Sequence, residues 1–171
     1  MTPEVLLDQF DLVWALADLH LTALTEDDFL WAPTPLTWTV RPDAAGDWRP
    51  DWADTEPDPI PVPNIAWLTW QIQWYWSVTL DHLQRRTPQD RESVLWPGSG
   101  AAVVAELREL SAQWRTMLVG LTADDLLAPS ACPWPDNADR TVGHTVAWCT
   151  VELTKNVAEI GQLRMIRATS T

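Results

Sequence analysis

The sequence predicts an all-α protein, a four-helix bundle with a long Trp/Pro-rich connection between its first two helices. Three observations carry that expectation. Four stretches of about twenty residues repeat apolar side chains at spacings of three and four, the period of a helix with one buried face. No stretch alternates apolar and polar residues for more than a few positions, so strands are not expected to dominate. Two phrases recur in the same order around the helices, which predicts a helix-pair unit used twice with pseudo-twofold symmetry.

The first helix is expected over residues 3–24, where Leu6, Phe10, Val13, Ala17, Leu21 and Leu24 form one stripe. Pro3 suits its first turn, where a missing N–H costs nothing. The second helix is expected over 65–84, after the breaker run "PIPVP", with Asn64 as N-cap. It is apolar on nearly every face through Trp76, so it should be the most enclosed. The third, over 101–120, places Val103, Leu107, Leu110, Trp114, Met117 and Leu121 on one side and Glu106, Arg108, Glu109 and Arg115 on a solvated side. The fourth, over 142–167, starts at the N-cap Thr141 and turns Val142, Val146, Cys149, Leu153, Val157 and Ile160 inward.

Residues 31–63 hold eight of the chain's prolines, and residues 43–58 hold six acids against one arginine. Such a segment cannot be a helix. Four of the thirteen tryptophans, Trp31, Trp38, Trp48 and Trp52, lie in it, and four more, Trp67, Trp70, Trp74 and Trp76, lie on the second helix. Large aromatic rings gain most from leaving water, so the loop is expected to fold down onto the bundle.

The internal repeat pairs "LTEDDFLWAPTPLTW" (24–38) with "LTADDLLAPSACPW" (121–134). In each, the threonine can cap a short turn whose aspartates suit a helix N-terminus. Each leads into a similar helix, "AWLTWQ" (66–71) and "AWCTVE" (147–152). The alignment makes Gln71 equivalent to Glu152 and Tyr75 equivalent to Asn156.

Composition excludes several functions. A chain of 171 residues with a net charge of −13 and no cluster of basic residues is read as one domain, 1–171, that binds neither nucleic acid nor an anionic membrane surface. The start "MTPEVLLDQFD" lacks the basic n-region of a secretory signal, and the apolar run 65–76 is too short to span a bilayer, so a soluble, cytoplasmic protein is expected. The two cysteines read as a small core residue, Cys149, and a free loop thiol, Cys132, with a Cys132–Cys149 bridge as the alternative.

Function has to be sought on the fourth helix. Trp148, Glu152, Asn156 and Glu159 form a stripe beside its apolar face, and Lys155, the chain's single lysine, stands at helical spacing from both glutamates. On the second helix Trp67, Gln71 and Trp74 form the matching stripe. One reading is a solvated boundary laced by Lys155, which would leave function to dimerisation or a protein partner. The other is a small-molecule pocket in which Gln71, Glu152 and Asn156 supply polar contacts and Trp67, Trp74 and Trp148 supply walls. Glu152 and Lys155 are the candidate catalytic pair. His20 and His82 read as boundary residues, and His144 sits in a first helical turn, where the macrodipole disfavours its charged form.

The phrases "IAWLTWQIQWYW" and "VELTKNVAEIGQLR", the two "LT-x-DD" turns and the Trp/Pro-rich loop resemble the DinB/YfiT-like superfamily of four-helix bundles. The resemblance implies a divalent metal on three histidines, one on the second helix and a His-x-x-x-His pair on the fourth. It also implies thiol-dependent transferase or isomerase activity with mycothiol, bacillithiol or glutathione in some members, and a homodimer. Carried onto this chain, the three ligand positions fall at Gln71, Glu152 and Asn156, so the histidine triad is missing. Two amides and a carboxylate suit a weakly held Mg²⁺, Ca²⁺ or Mn²⁺ at most, and Lys155 opposes a cation there. No cofactor is therefore expected; a loosely bound divalent metal or a low-molecular-weight thiol is the alternative, as is a metal-dependent hydrolase.

Overall fold

Four long helices dominate residues 2–170, which the computed structural model describes: α1 (Pro3–Thr22), α3 (Ile65–Leu83), α4 (Gly100–Gly120) and α6 (Val142–Thr169). Two short helices, α2 (Glu26–Phe29) and α5 (Ala123–Leu127), follow α1 and α4. The expected helix boundaries hold to within two residues. The capping expected at α3 is also present: the Asn64 side chain accepts the Trp67 N–H at 3.0 Å.

Packing follows from the buried stripes. Leu6, Phe10, Val13, Ala17 and Leu21 of α1, Val103, Leu107, Trp114 and Leu118 of α4, and Val146, Cys149, Leu153, Val157 and Ile160 of α6 enter one core around α3. α3 buries most of its length, from Ile65 to Leu80, as its all-round apolar character requires. Both α1 and α3 pack against α4 and α6. Arg108 pairs with Asp18 and Arg115 with Asp11, so α1 and α4 run antiparallel. Gln73 meets Glu106, and Trp114 donates its indole N–H to the Trp76 carbonyl, so α3 and α4 run parallel. Gln71 meets Asn156 and Tyr75 meets Trp148, so α3 and α6 run antiparallel. The resulting directions along the chain are up, down, down, up, which places α1 and α6 side by side and parallel.

The two "LT-x-DD" phrases take the same local form. Asp28 accepts the Thr25 N–H at 2.7 Å and Asp125 accepts the Thr122 N–H at 2.8 Å, each starting a short helix with its carboxylate at the N-terminal end. α2 is docked by close packing: a Cβ on Gly100 would stand 2.2 Å from the Phe29 ring, so only glycine lets Phe29 cross the start of α4. Glu26 accepts the Gly100 N–H at 2.8 Å in the same contact.

The Pro-rich connection folds onto the bundle as expected, with a form the sequence did not announce. β1 (Thr37–Trp38) pairs in parallel with β4 (Val62–Pro63), and β2 (Val40–Pro42) pairs antiparallel with β3 (Trp48–Pro50). Two- and three-residue ladders leave no alternation to read. Trp38 stacks on Trp67 at 5.1 Å, Trp52 meets Trp74 edge-on at 5.4 Å, and Trp48 packs on Trp96 at 5.4 Å. The buried indoles also find acceptors. Trp67 donates to the Asp51 carbonyl and Trp70 to the Val94 carbonyl, both at 2.8 Å.

Candidate functional site

The α3–α6 seam gathers polar groups that the apolar stripes on either side drag into the protein. On α3, Gln71 and Tyr75 lie one turn apart; on α6, Asn156 lies between Glu152 and Glu159. Because the helices are antiparallel, Asn156 reaches Gln71 and donates from Nδ2 to Gln71 Oε1 at 2.7 Å. Asn156 is fully buried. Its carbonyl oxygen, Oδ1, has no hydrogen-bond partner.

Two neighbours share that condition. The Tyr75 hydroxyl and Glu159 Oε2 are also buried without a hydrogen bond. Burial raises the Tyr75 phenol well above its usual range, and nearby Cys149, Glu152 and Glu159 add to the shift, which sets these residues in one electrostatic neighbourhood. Burial raises the Glu159 carboxyl too, opposed by Lys155 and reinforced by Glu152. Lys155 Nζ stands 3.8 Å from Glu152 and 3.9 Å from Glu159, an ion-pair bridge beyond hydrogen-bond reach. Such part-exposed pairs add little stability.

A groove opens beside this cluster. Pro33, Thr34, Val62 and Pro63 of the connection form one wall and Glu159, Gln162, Leu163 and Ile166 of α6 the other, enclosing about 330 Å³. Glu159 joins the groove to the polar cluster, one helical turn from Asn156.

The predicted site residues therefore divide. Gln71 and Asn156 meet, as their register requires. Glu152 and Lys155 lie at the edge, paired with each other. Trp148 borders the cluster through an edge-on contact with Tyr75 at 6.1 Å. Trp67 and Trp74 face the loop, held by Trp38 and Trp52, and the groove's walls contain no tryptophan. The aromatic walls expected on both helices are thus committed mostly to the connection. Tyr75 entered the sequence reading only as the equivalent of Asn156 in the repeat, and Glu159 as a member of the polar stripe and an ion-pair partner of Lys155; their place one turn beyond Gln71 and Asn156 was the signal for both.

The remaining polar residues have local explanations. His144 Nδ1 lies 2.9 Å from the Thr141 hydroxyl and completes the cap of α6, so it serves the helix start. His82 is exposed and His20 packs against Gly161, both at helix edges as expected. Cys132 and Cys149 are both buried free thiols, with Cys132 Sγ 3.8 Å from the Thr79 hydroxyl.

The comparisons with known proteins bear on this geometry. The profile of the DinB superfamily matches residues 9–160. The chain belongs to the DinB superfamily. A crystal structure of a conserved protein from Enterococcus faecalis superposes with a TM-score of 0.67 at 10% identity, covering 97% of each chain, which marks a shared fold. No curated protein matches the chain. At the metal-ligand positions that the family resemblance implies, this DinB chain does not offer a fitting donor set. The Gln71 carbonyl already accepts the Asn156 amide, and Glu152 faces a lysine ammonium. Among the described residues no three His, Cys, Asp or Glu side chains group as a metal site. No helix of the described residues is long and apolar enough to cross a membrane.

Proposed function

We propose that this DinB-family chain binds a small organic molecule in the groove between the connection and α6, with its polar head directed at the α3–α6 cluster. One observation carries the reading: Glu159, which lines the groove, and its neighbours Asn156 and Tyr75 hold three buried polar atoms, Glu159 Oε2, Asn156 Oδ1 and Tyr75 OH, that have no hydrogen-bond partner. Buried polar groups are otherwise almost always paired, because an unmet one costs about 1–3 kcal/mol. Two of the three are acceptors, and the tyrosine can serve as either.

The ligand class follows from that inventory. A hydrogen-bond donor such as an amine, amide or hydroxyl fits the head position, and an apolar body fits Pro33, Val62, Pro63 and Leu163. Anionic heads are disfavoured, since Glu152 and Glu159 outweigh Lys155. The paired "LT-x-DD" turns and the pairing of Gln71 with Asn156 support a duplicated helix pair as the origin of the site, with Tyr75 and Asn156 as related positions.

Thermal-shift measurement against a panel of primary amines, amides, polyols and low-molecular-weight thiols tests this. A supporting hit raises the melting temperature of the wild type and loses at least half of that gain in Asn156→Leu. Hits that stabilise both proteins equally, or a panel without hits, would sink it. A response confined to bacillithiol, mycothiol or glutathione would favour thiol-transfer chemistry at Glu152 and Lys155 instead.

A further inference from the structure

A second groove lies at the far end of the α3–α6 seam, where α3 finishes and α6 begins. His82, Leu83 and Arg85 at the end of α3, Met117 and Leu121 at the end of α4, and Asp125 of α5 line it, and residues 128–132 close one side, enclosing about 240 Å³. The repeat alignment relates it to the first groove. Pro129 and Ser130 stand where Pro33 and Thr34 do, and His82 and Arg85 stand where Leu163 and Ile166 do. The same places in the repeat thus carry apolar side chains in one groove and nitrogen bases in the other.

Arg85 holds its place at a cost to the backbone. α3 ends in two closing bonds, from the Arg85 N–H to the His82 carbonyl at 3.1 Å and from the Arg86 N–H to the Asp81 carbonyl at 2.8 Å. That closure puts residue 85 in the left-handed region, at φ +57°, where glycine is the usual occupant. Among the described residues no other non-glycine residue has a positive φ. Glycine would close α3 without strain, so what the position gains from arginine is its side chain. Arg86 pairs with Asp81, whereas Arg85 forms no ion pair with any described residue.

Across the groove, Asp125 keeps one oxygen spare. Its Oδ2 accepts the Thr122 hydroxyl at 2.6 Å and the Thr122 N–H at 2.8 Å, and Oδ1 accepts nothing among the described residues. The two Thr122 bonds hold its carboxyl below the usual carboxylate range, and the Arg85 charge adds to that, so the group stays anionic. A guanidinium and a carboxylate therefore face one groove, near enough to feel each other and more than 4.0 Å apart.

We propose that this second groove binds a free amino acid with an apolar side chain. Its carboxylate lies on the Arg85 guanidinium, with the exposed His82 ring beside it, and its ammonium lies on Asp125 Oδ1. The side chain rests on Leu83, Met117 and Leu121. A bare anion is repelled by a chain of net charge −13, and a bare amine meets the Arg85 charge; an amino acid is neutral overall and answers both groups. The volume is below the roughly 300–1,000 Å³ of drug-sized sites, which suits a molecule the size of leucine.

Isothermal titration of the intact chain with L-leucine, N-acetyl-L-leucine and L-leucinamide tests the assignment. Saturable leucine binding is expected, weaker by about tenfold or more for each derivative, because each lacks one of the two charges. Arg85→Gly should weaken leucine binding by about tenfold or more while melting no lower than the wild type, since glycine suits the left-handed backbone. Asp125→Asn, which keeps an oxygen for Thr122, should bring leucine down to the level of its N-acetyl derivative. Asn156→Leu, which alters only the first groove, should leave leucine binding unchanged, so either groove can fail without the other. No saturable binding up to about 10 mM leucine, equal binding of leucine and either derivative, or a response lost in Asn156→Leu and kept in Arg85→Gly would each overturn the proposal. A lowered melting temperature of Arg85→Gly would assign Arg85 to the fold and overturn it too.

Discussion

The two seams of α3 treat their polar groups in opposite ways. Where α3 meets the connection and the segment around Trp96, the indole N–H groups of Trp67, Trp70 and Trp96 each reach an acceptor, at 2.8, 2.8 and 3.2 Å. Where α3 meets α6, Tyr75, Asn156 and Glu159 each keep a buried atom without one. The first seam is a finished piece of packing, in which rings bring area and their N–H groups bring direction. The second is left incomplete by the protein alone. The matched indoles mark the first seam as structural, and the unmatched atoms of the second are the ones the proposed ligand would satisfy.

Mutations on the finished seam should cost most. Trp70 is completely buried, stacks on Trp74 at 5.6 Å and holds the Val94 carbonyl, so Trp70→Ala is expected to lose about 3–5 kcal/mol in urea unfolding. A loss below about 1 kcal/mol would mean that the aromatic seam is not structural. Thr69→Val is the next test. The Thr69 hydroxyl donates to the Ile65 carbonyl and accepts from Trp96, so the swap orphans an indole N–H at a cost of about 1–3 kcal/mol.

On the open seam the same kind of deletion should behave differently. Tyr75→Phe removes a hydroxyl that has no protein partner, so stability should stay level or rise by up to about 1 kcal/mol. A clear destabilisation would place a bound water or ion on that hydroxyl and weaken the contrast between the seams.

The smallest effect is expected from Glu159→Gln, and it depends on pH. The folded chain holds the Glu159 proton more tightly than the unfolded chain, whose carboxyl titrates near the ordinary value of 4.5. Wild-type stability from this group is therefore complete below that value and declines as pH rises through it toward the raised folded value. Glutamine has no such decline. The variant's melting temperature should match the wild type in acid and exceed it at neutral pH by less than the roughly 2–4 °C that ~1 kcal/mol brings, since the site is partly solvated and Lys155 offsets the burial. A difference that shrinks with rising pH would contradict the burial of Glu159.

The legibility of the two seams in the sequence also differs. Helical period located α1, α3, α4 and α6 because each buries a continuous stripe, and the eight prolines of 31–63 marked the connection. The meeting of Gln71 with Asn156 was accessible through the family resemblance, which put both at positions of one metal site. The roles of Trp67 and Trp74 were not, because an indole on an all-apolar helix can face a cavity or a loop equally well. Trp38 and Trp52, arriving from up to about thirty residues away in sequence, decide it, and such long-range partners leave no local pattern. The strands of the connection were hidden for a related reason: their pairing is set by backbone geometry over two or three residues.

The neighbouring, parallel placement of α1 and α6 has a consequence for how the chain comes into being. Among the four long helices, the first to be synthesised, α1, has one of its flanks completed only by the last, α6, so this core cannot close until α6 has emerged. Until then Leu6, Phe10 and Ala17 lack the cover that α6 gives them, and a nascent chain stalled before residue 142 should be protease-sensitive and attractive to chaperones, whereas one in which α6 has emerged should close in a single cooperative step.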